Sequence, residues 1–371
     1  MGARGRRTGT SDRGGLGLFA LMLTATCLFA TWAVMPPASK RPYVVDGDAP
    51  SSAPTTLTRS PARLPSVDAL RVHFYDVSEG LAALVDLPGG QHILIDAGDS
   101  PTRDGCGTDC ATAHGHLLTQ LRQDLGGAPI DLLWITHQHS DHIGGARDVL
   151  VDFTVREYVD NGRDGARAEV ARTRQVARAR GSLVRTVDPS HPFDGANLAG
   201  AAQVTPVVPA AWPRDCATDP NECSLGLRID FRASSVLFTG DAERGEERAL
   251  PVESAATVLQ VGHHGSETSS TAAFLARVSP RYAVISAGHP GTGMNADYCL
   301  PRAATIERLT RVLARGGSRT LLGYDGTLSC RRSHGEGWVE VPVSDDLWAT
   351  ERDGDVVLTT RGDGLFTRDE P

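Results

Sequence analysis

Beyond residue 68 the chain is patterned by short apolar runs separated by glycine-rich turns. Arg71–Val77, Leu81–Leu87 and His92–Asp96 are broken by Glu79-Gly80 and Pro88-Gly89-Gly90, and read as a meander of strands. Leu117, Leu118, Leu121 and Leu125 recur at helical spacing over His114–Leu125, and Gly126-Gly127 ends that helix. Ile130–Thr136, Ser235–Thr239 and Thr257–Val261 are apolar runs of strand length. Arginines 163, 167, 172, 174, 178 and 180 mark a further helix between Asp160 and Gly181. Strands alternating with helices predict an α/β fold.

The N-terminal part is patterned differently. Arg4, Arg6, Arg7 and Arg13 precede an uncharged apolar run ending near Met35, so residues 1–35 read as a signal peptide or membrane anchor. Thr31-Trp32-Ala33 offers a cleavage site, which leaves a removed signal and a retained anchor both open. The arginines should stay inside, which sends the rest of the chain out of the cytoplasm, secreted or tethered to the membrane. Residues 36–68, rich in Pro, Ser, Thr and Ala, read as a flexible linker, and residues 69–371 as one hydrolase-sized domain.

Composition adds two constraints. A net charge of −8 argues against a globally basic nucleic-acid coat. Apart from Cys27 there are six cysteines, an even count that in an exported chain predicts disulfides. Cys106–Cys110 and Cys216–Cys223 are short pairs in loops, leaving Cys299–Cys330; fifteen connectivities remain open from the sequence.

The chemistry concentrates at strand ends. Ile130–Thr136 runs straight into His137-Gln138-His139-Ser140-Asp141-His142, enough imidazole and carboxylate to hold two transition-metal ions. His137 and His139, two apart on extended chain, point the same way, and Gly144-Gly145 suits a tight entry to a helix. Asp241 follows the second apolar run, and Gly262-His263-His264-Gly265-Ser266 follows the third.

With Asp96-Ala97-Gly98 and Thr239-Gly240-Asp241, the His137–Gly145 segment resembles the metallo-β-lactamase superfamily. Asp76-Val77-Ser78-Glu79-Gly80 and Gly262–Ser269 resemble, more narrowly, the extracellular hydrolase domain of ComEC-type DNA-uptake competence proteins. The resemblance runs from about Arg71 to Gly364 and implies an αββα four-layer sandwich with a metal site at one edge. It implies that His137 and His139 hold one ion, that Asp141, His142 and His264 hold a second, and that Asp241 bridges them. Within the histidine pair the choice of ligand is open; His264, next to Gly265, is taken as the ligand and His263 as facing substrate. Asp96 is implied to support the metal loop from outside.

Departures from the superfamily bear on substrate. The extra histidine common before Asp241 is missing, with Asn221 and Ser224 in that stretch, which argues against β-lactam hydrolysis. Leu300 stands where the competence branch often has histidine, and Leu81 replaces an acidic residue. The expected enzyme is a hydrolase with two divalent ions, zinc first and manganese second, and no nucleotide cofactor. It cleaves a phosphodiester, DNA among the candidates, with an ionised metal-bound water; Asp141 and His263 are the catalytic residues, His263 as acid or oxyanion donor. Two alternatives stand beside it: a non-catalytic surface module binding DNA or an envelope polymer, and a hydrolase of another ester or lactone. The arginine-rich helix reads either as a solvated face or as a ridge tracking phosphates.

Overall fold

The computed structural model describes residues 41–42, 68–163, 168–193, 198, 200–252, 254–313, 317–327, 330 and 336–369. The signal or anchor segment and most of the linker expected from the sequence lie outside the described residues. Among the described residues no helix is long and apolar enough to cross a membrane.

After a short strand β1 (Arg41–Pro42) come β2 (Leu70–Phe74), β3 (Ala83–Asp86), β4 (His92–Ile95), α1 (Asp109–Leu125) and β5 (Ile130–Trp134). The chain continues through α2 (Ser140–Ile143), α3 (Ala146–Asp152), β6 (Val155–Asp160), α4 (Ala168–Ala179), β7 (Leu183–Thr186) and β8 (Gln203–Val207). Next are β9 (Gly226–Phe231), β10 (Ser234–Phe238), α5 (Arg244–Ala249), β11 (Val258–Gln260), α6 (Ala272–Val278), β12 (Tyr282–Ile285) and α7 (Asn295–Tyr298). Last are α8 (Ala303–Leu313), β13 (Arg319–Tyr324), β14 (Trp338–Val343), β15 (Leu347–Ala349), α9 (Thr350–Asp353), β16 (Val356–Thr360) and β17 (Thr367–Asp369).

Two large sheets carry the fold, ordered β17-β16-β2-β3-β4-β5-β6-β7 and β15-β12-β11-β10-β9-β8. Side-chain alternation explains why they stack. In β4 and β5, Ile93, Ile95, Leu132 and Trp134 face a core shared with Leu227, Ile229, Val236 and Phe238 of the opposite sheet. Their neighbours Leu94 and Leu133 face the other way, onto Leu117 and Leu121 of α1 and Val149 of α3. Leu237, Leu259 and Ala283 likewise turn outward from the second sheet onto Phe274 of α6 and Ile306 and Leu309 of α8. Each Leu or Ile so buried is worth about 1.5–3 kcal/mol relative to exposure. The result is the four-layer αββα sandwich expected from the resemblance.

One layer was not expected. A three-stranded sheet, β1-β14-β13, lies outside the sandwich and packs Leu321, Val341 and Val343 against the α8 side of the same core.

The parallel pairs β4–β5 and β10–β11 end at one edge, which brings Asp96, Thr136, Asp241 and Gly262 together. The strands stop one or two residues short of their predicted ends, because Asp96, Thr136, Thr239 and Val261 leave the ladders to build the loops of this edge. Cys106–Cys110, Cys216–Cys223 and Cys299–Cys330 are disulfide-bonded, with Cα atoms 5.8, 5.2 and 5.7 Å apart.

The arginine-rich helix is α4, but its arginines form no single ridge. Arg174 turns inward onto Asp160, with Nε and Nη2 2.7 and 2.9 Å from the carboxylate, and Arg163 donates to the Cys216 carbonyl. Arg172, Arg178 and Arg180 are exposed, and Arg167 lies outside the described residues.

Candidate metal centre

Four imidazoles and two carboxylates converge where these strands end. After β5 the chain bends at Gln138 and His139, and His137 Nε2 comes 3.0 Å from His139 Nδ1. The chain then turns into α2, whose first turn delivers Asp141 and His142. That turn is possible only with glycine behind it: a Cβ at Gly144 would lie 2.2 Å from the Ser100 nitrogen, and one at Gly145 2.2 Å from the Ala97 oxygen. Asp241 arrives from β10, and its Oδ2 lies 3.2 Å from His142 Nε2, 3.5 Å from His264 Nε2 and 3.9 Å from His137 Nε2. Asp141 Oδ2 is 3.5 Å from His264 Nε2.

Ligand atoms thus gather in two overlapping groups, His137–His142–Asp241 and Asp141–His142–His264, each within 4.8 Å. Every predicted site residue is in this assembly or lines it. The grouping differs from the expected partition in two respects: His142, and not Asp241, is common to both groups, and His139 is in neither.

The outer hydrogen bonds decide which nitrogens face inward. His264 Nδ1 donates to the Ser286 carbonyl at 2.8 Å, since a carbonyl can only accept. His142 Nδ1 bonds Asp96 Oδ2 at 2.7 Å, and the same carboxylate accepts from the Thr136 nitrogen and hydroxyl, each at 2.7 Å. Both rings therefore turn Nε2 inward, the two atoms 3.2 Å apart. Two nitrogens this close need positive charge between them, a proton or a metal ion. Asp96 holds this post from a left-handed backbone, φ 55°, a conformation retained at functional sites when the surroundings enforce it. Asp241 Oδ1 is buried with no hydrogen-bond partner among the described residues.

The electrostatics mark the same two inward-facing nitrogens as places where positive charge is favoured. Burial opposes charge on His142, yet Asp241 and Asp96 outweigh it and hold its pKa up to about 10. Burial likewise opposes charge on His264, and Asp241 and Asp141 raise it. Desolvation pushes both carboxylates upward, but the surrounding imidazoles hold Asp141 and Asp241 well below the usual carboxylate range. His137 is driven the other way, by burial and by His142, and stands ready as a neutral ligand. An orphaned carboxylate oxygen and converging imidazole nitrogens that favour positive charge fit a pair of divalent cations of the imidazole-binding kind.

His263 and His264 diverge for a reason other than strand alternation. Both have left-handed backbones, φ 49° and 52°, in a 3₁₀ turn over Gly262–Gly265. His264 is turned inward at 2% side-chain exposure, while His263, at 23%, faces the open side. There His263 Nδ1 lies 3.0 Å from Glu243 Oε1, which also accepts from the Thr268 hydroxyl, and its Nε2 points toward Asp241 and Asn221. A cavity of about 420 Å³ opens over the cluster, with His139, Asp141, His263 and Asn221 on its floor and Arg103, Tyr298 and Leu300 among its walls.

Glu243, Arg103, Tyr298 and the Ser286 carbonyl escaped the sequence reading. Glu243, two residues after Asp241, was the one with a local signal; the others come from loops with no motif. Ser224, placed by the missing-histidine stretch, accepts the Asp241 amide at 3.1 Å and so fixes that carboxylate's backbone. His191, the one histidine between His142 and His263, is exposed and paired with Asp188.

The family described as the metallo-beta-lactamase superfamily matches residues 75–289. The chain is 29% identical over 242 residues to Recombination protein 2 of Haemophilus influenzae, covering 65% of this chain and 26% of that protein. It is 30% identical over 188 residues to ComE operon protein 3 of Bacillus subtilis, covering 49% of this chain and 22% of that protein. The chain spans about a quarter of the length of these relatives. Among solved structures it is similar to CmlA, a diiron beta-hydroxylase from Streptomyces venezuelae, with a TM-score of 0.41 and 15% identity over 66% of this chain and 51% of that one.

Proposed function

The chain belongs to the metallo-β-lactamase superfamily, and from that premise we propose that it is a metal-dependent phosphodiester hydrolase working outside the cytoplasm, with DNA as the favoured substrate. The observation that carries the reading is the set of imidazole nitrogens and buried carboxylate oxygens meeting beneath an open cavity. His137, His139 and Asp241 would hold one divalent ion, and Asp141, His142 and His264 the other, with Asp241 shared. Bound there, zinc or manganese ions supply Lewis acidity to a phosphoryl oxygen and make water acidic enough to ionise near neutral pH.

The protein's own groups supply the rest. Asp96 and the Ser286 carbonyl hold two of the rings in the tautomer that turns Nε2 inward. His263, steadied through Nδ1 by Glu243, presents Nε2 to the cavity, where it can donate to a phosphoryl oxygen or protonate the leaving oxygen. Three disulfides support an oxidising compartment. DNA is favoured because the named relatives are a recombination protein and a competence-operon protein. The test is turnover of bis(p-nitrophenyl) phosphate by the metal-loaded chain. Chelator-sensitive release of p-nitrophenol is expected; none with zinc, manganese, iron or cobalt would overturn the reading.

A further inference from the structure

Part of the cavity lining comes from two segments that are far apart in sequence. Arg103 lies in the loop between β4 and α1, closed by the Cys106–Cys110 disulfide three residues on. Tyr298 ends α7, next to Cys299, whose disulfide ties it to Cys330. Met294 of the second loop packs on the first disulfide. The two side chains meet: Arg103 Nη2 donates to the Tyr298 hydroxyl, and the guanidinium lies 5.8 Å from the Tyr298 ring centroid. On its other side Arg103 Nη1 is 2.8 Å from Asp99 Oδ2 and 3.8 Å from Asp141 Oδ1.

This arginine is oddly placed if it serves the framework alone. Among the described residues lining the cavity it is the one arginine, and none is a lysine. Asp99 and Tyr298 engage Nη1 and Nη2 from the sides and fix the guanidinium plane, leaving the side chain 20% exposed at the mouth. A planar, permanently charged group held at the lip of a site is matched to the paired oxygens of a phosphate. Leu300, also in the lining, offers such an anion nothing.

We infer that Arg103, oriented by Tyr298 and Asp99, is the residue that grips a non-bridging oxygen of the anionic substrate. The inference rests on the phosphodiester reading and names the group that recognises the substrate's charge. Arg103 binds substrate and transition state alike, so its removal acts on affinity more than on turnover.

The test uses the full metal-loaded chain and measures metal content, calorimetric affinity for dimethyl phosphate, and hydrolysis of bis(p-nitrophenyl) phosphate. Arg103→Ala should keep wild-type metal content, weaken dimethyl phosphate roughly 10- to 100-fold, and raise KM by a similar factor with kcat within about threefold, the scale of one charge-assisted contact. Arg103→Lys should recover part of the affinity, and Tyr298→Phe should show a smaller loss of the same kind. Loss of metal in Arg103→Ala would mean that Arg103 only positions Asp141, and unchanged anion affinity would mean that it faces no substrate; either overturns the inference while the phosphodiester reading stands. A wild-type chain that neither binds dimethyl phosphate nor cleaves the diester would overturn both together.

Discussion

Replacing Asp96 by asparagine alters one atom and should disarm a metal ligand that Asp96 itself never replaces. The side chain is fully buried and accepts three hydrogen bonds at 2.7 Å, from the Thr136 nitrogen, the Thr136 hydroxyl and His142 Nδ1. In Asp96→Asn the amide oxygen can still take the Thr136 nitrogen, which preserves the loop. Its NH₂ then faces His142 Nδ1, where a donor already sits. The ring resolves the clash by moving its proton to Nε2, the nitrogen that points at Asp241 and His264. A ligand carrying a proton is no ligand, and outer partners of this kind are worth about 10- to 100-fold in metal affinity, roughly 1.4–2.7 kcal/mol. Competition against a chelating dye at fixed pH measures that affinity, with near-UV circular dichroism to confirm the fold. A folded Asp96→Asn chain that binds metal within twofold of wild type would refute the tautomer argument.

Three further outcomes are expected. His264→Ala should lower metal stoichiometry toward one ion per chain, whereas His263→Ala should keep the full complement and slow turnover by roughly 100-fold or more; metal analysis beside the rate separates them. Maleimide labelling of the denatured, non-reduced chain should find no thiol other than Cys27, because the remaining six are paired; two or more extra labels would contradict the disulfides. His73, 3.0 Å from Asp86 and 3.3 Å from Asp124, is desolvated, but these carboxylates raise its pKa from 6.5 to about 9. The sign follows: its contribution is full below pH 6.5 and is lost as pH rises through 9, so the stability gap between wild type and His73→Gln, up to ~3 kcal/mol, should shrink over that window in chemical denaturation.

What was legible in the sequence was whatever short-range chemistry decides. The central strands are buried on both faces and so are largely apolar, and the histidines and aspartates follow at their ends. His137, His139, Asp141 and His142 come from one turn and were readable as a unit. The partition of the ligands was less so, since His142 lies between the two groups only through the approach of Asp241 and His264 from the other sheet. The left-handed turn at His263 and His264 has no glycine at either position to announce it; the surrounding loop imposes it. Arg103 and Tyr298 stand 195 positions apart, and only the fold makes them neighbours. The outer sheet was missed because β13 and β14 expose parts of their length, which breaks the apolar run that revealed the inner strands. The inward turn of Arg174 was hidden for a complementary reason: α4 spacing alone cannot tell that Asp160 draws it in.

The account stands on six side chains gathering to hold metal. Anomalous diffraction at the zinc edge, on crystals of the zinc-loaded chain, locates those ions directly. Two peaks are expected, one against His137, His139 and Asp241 and one against Asp141, His142 and His264, with Asp241 touching both. Peaks elsewhere, or none at this cluster at full zinc loading, would contradict it.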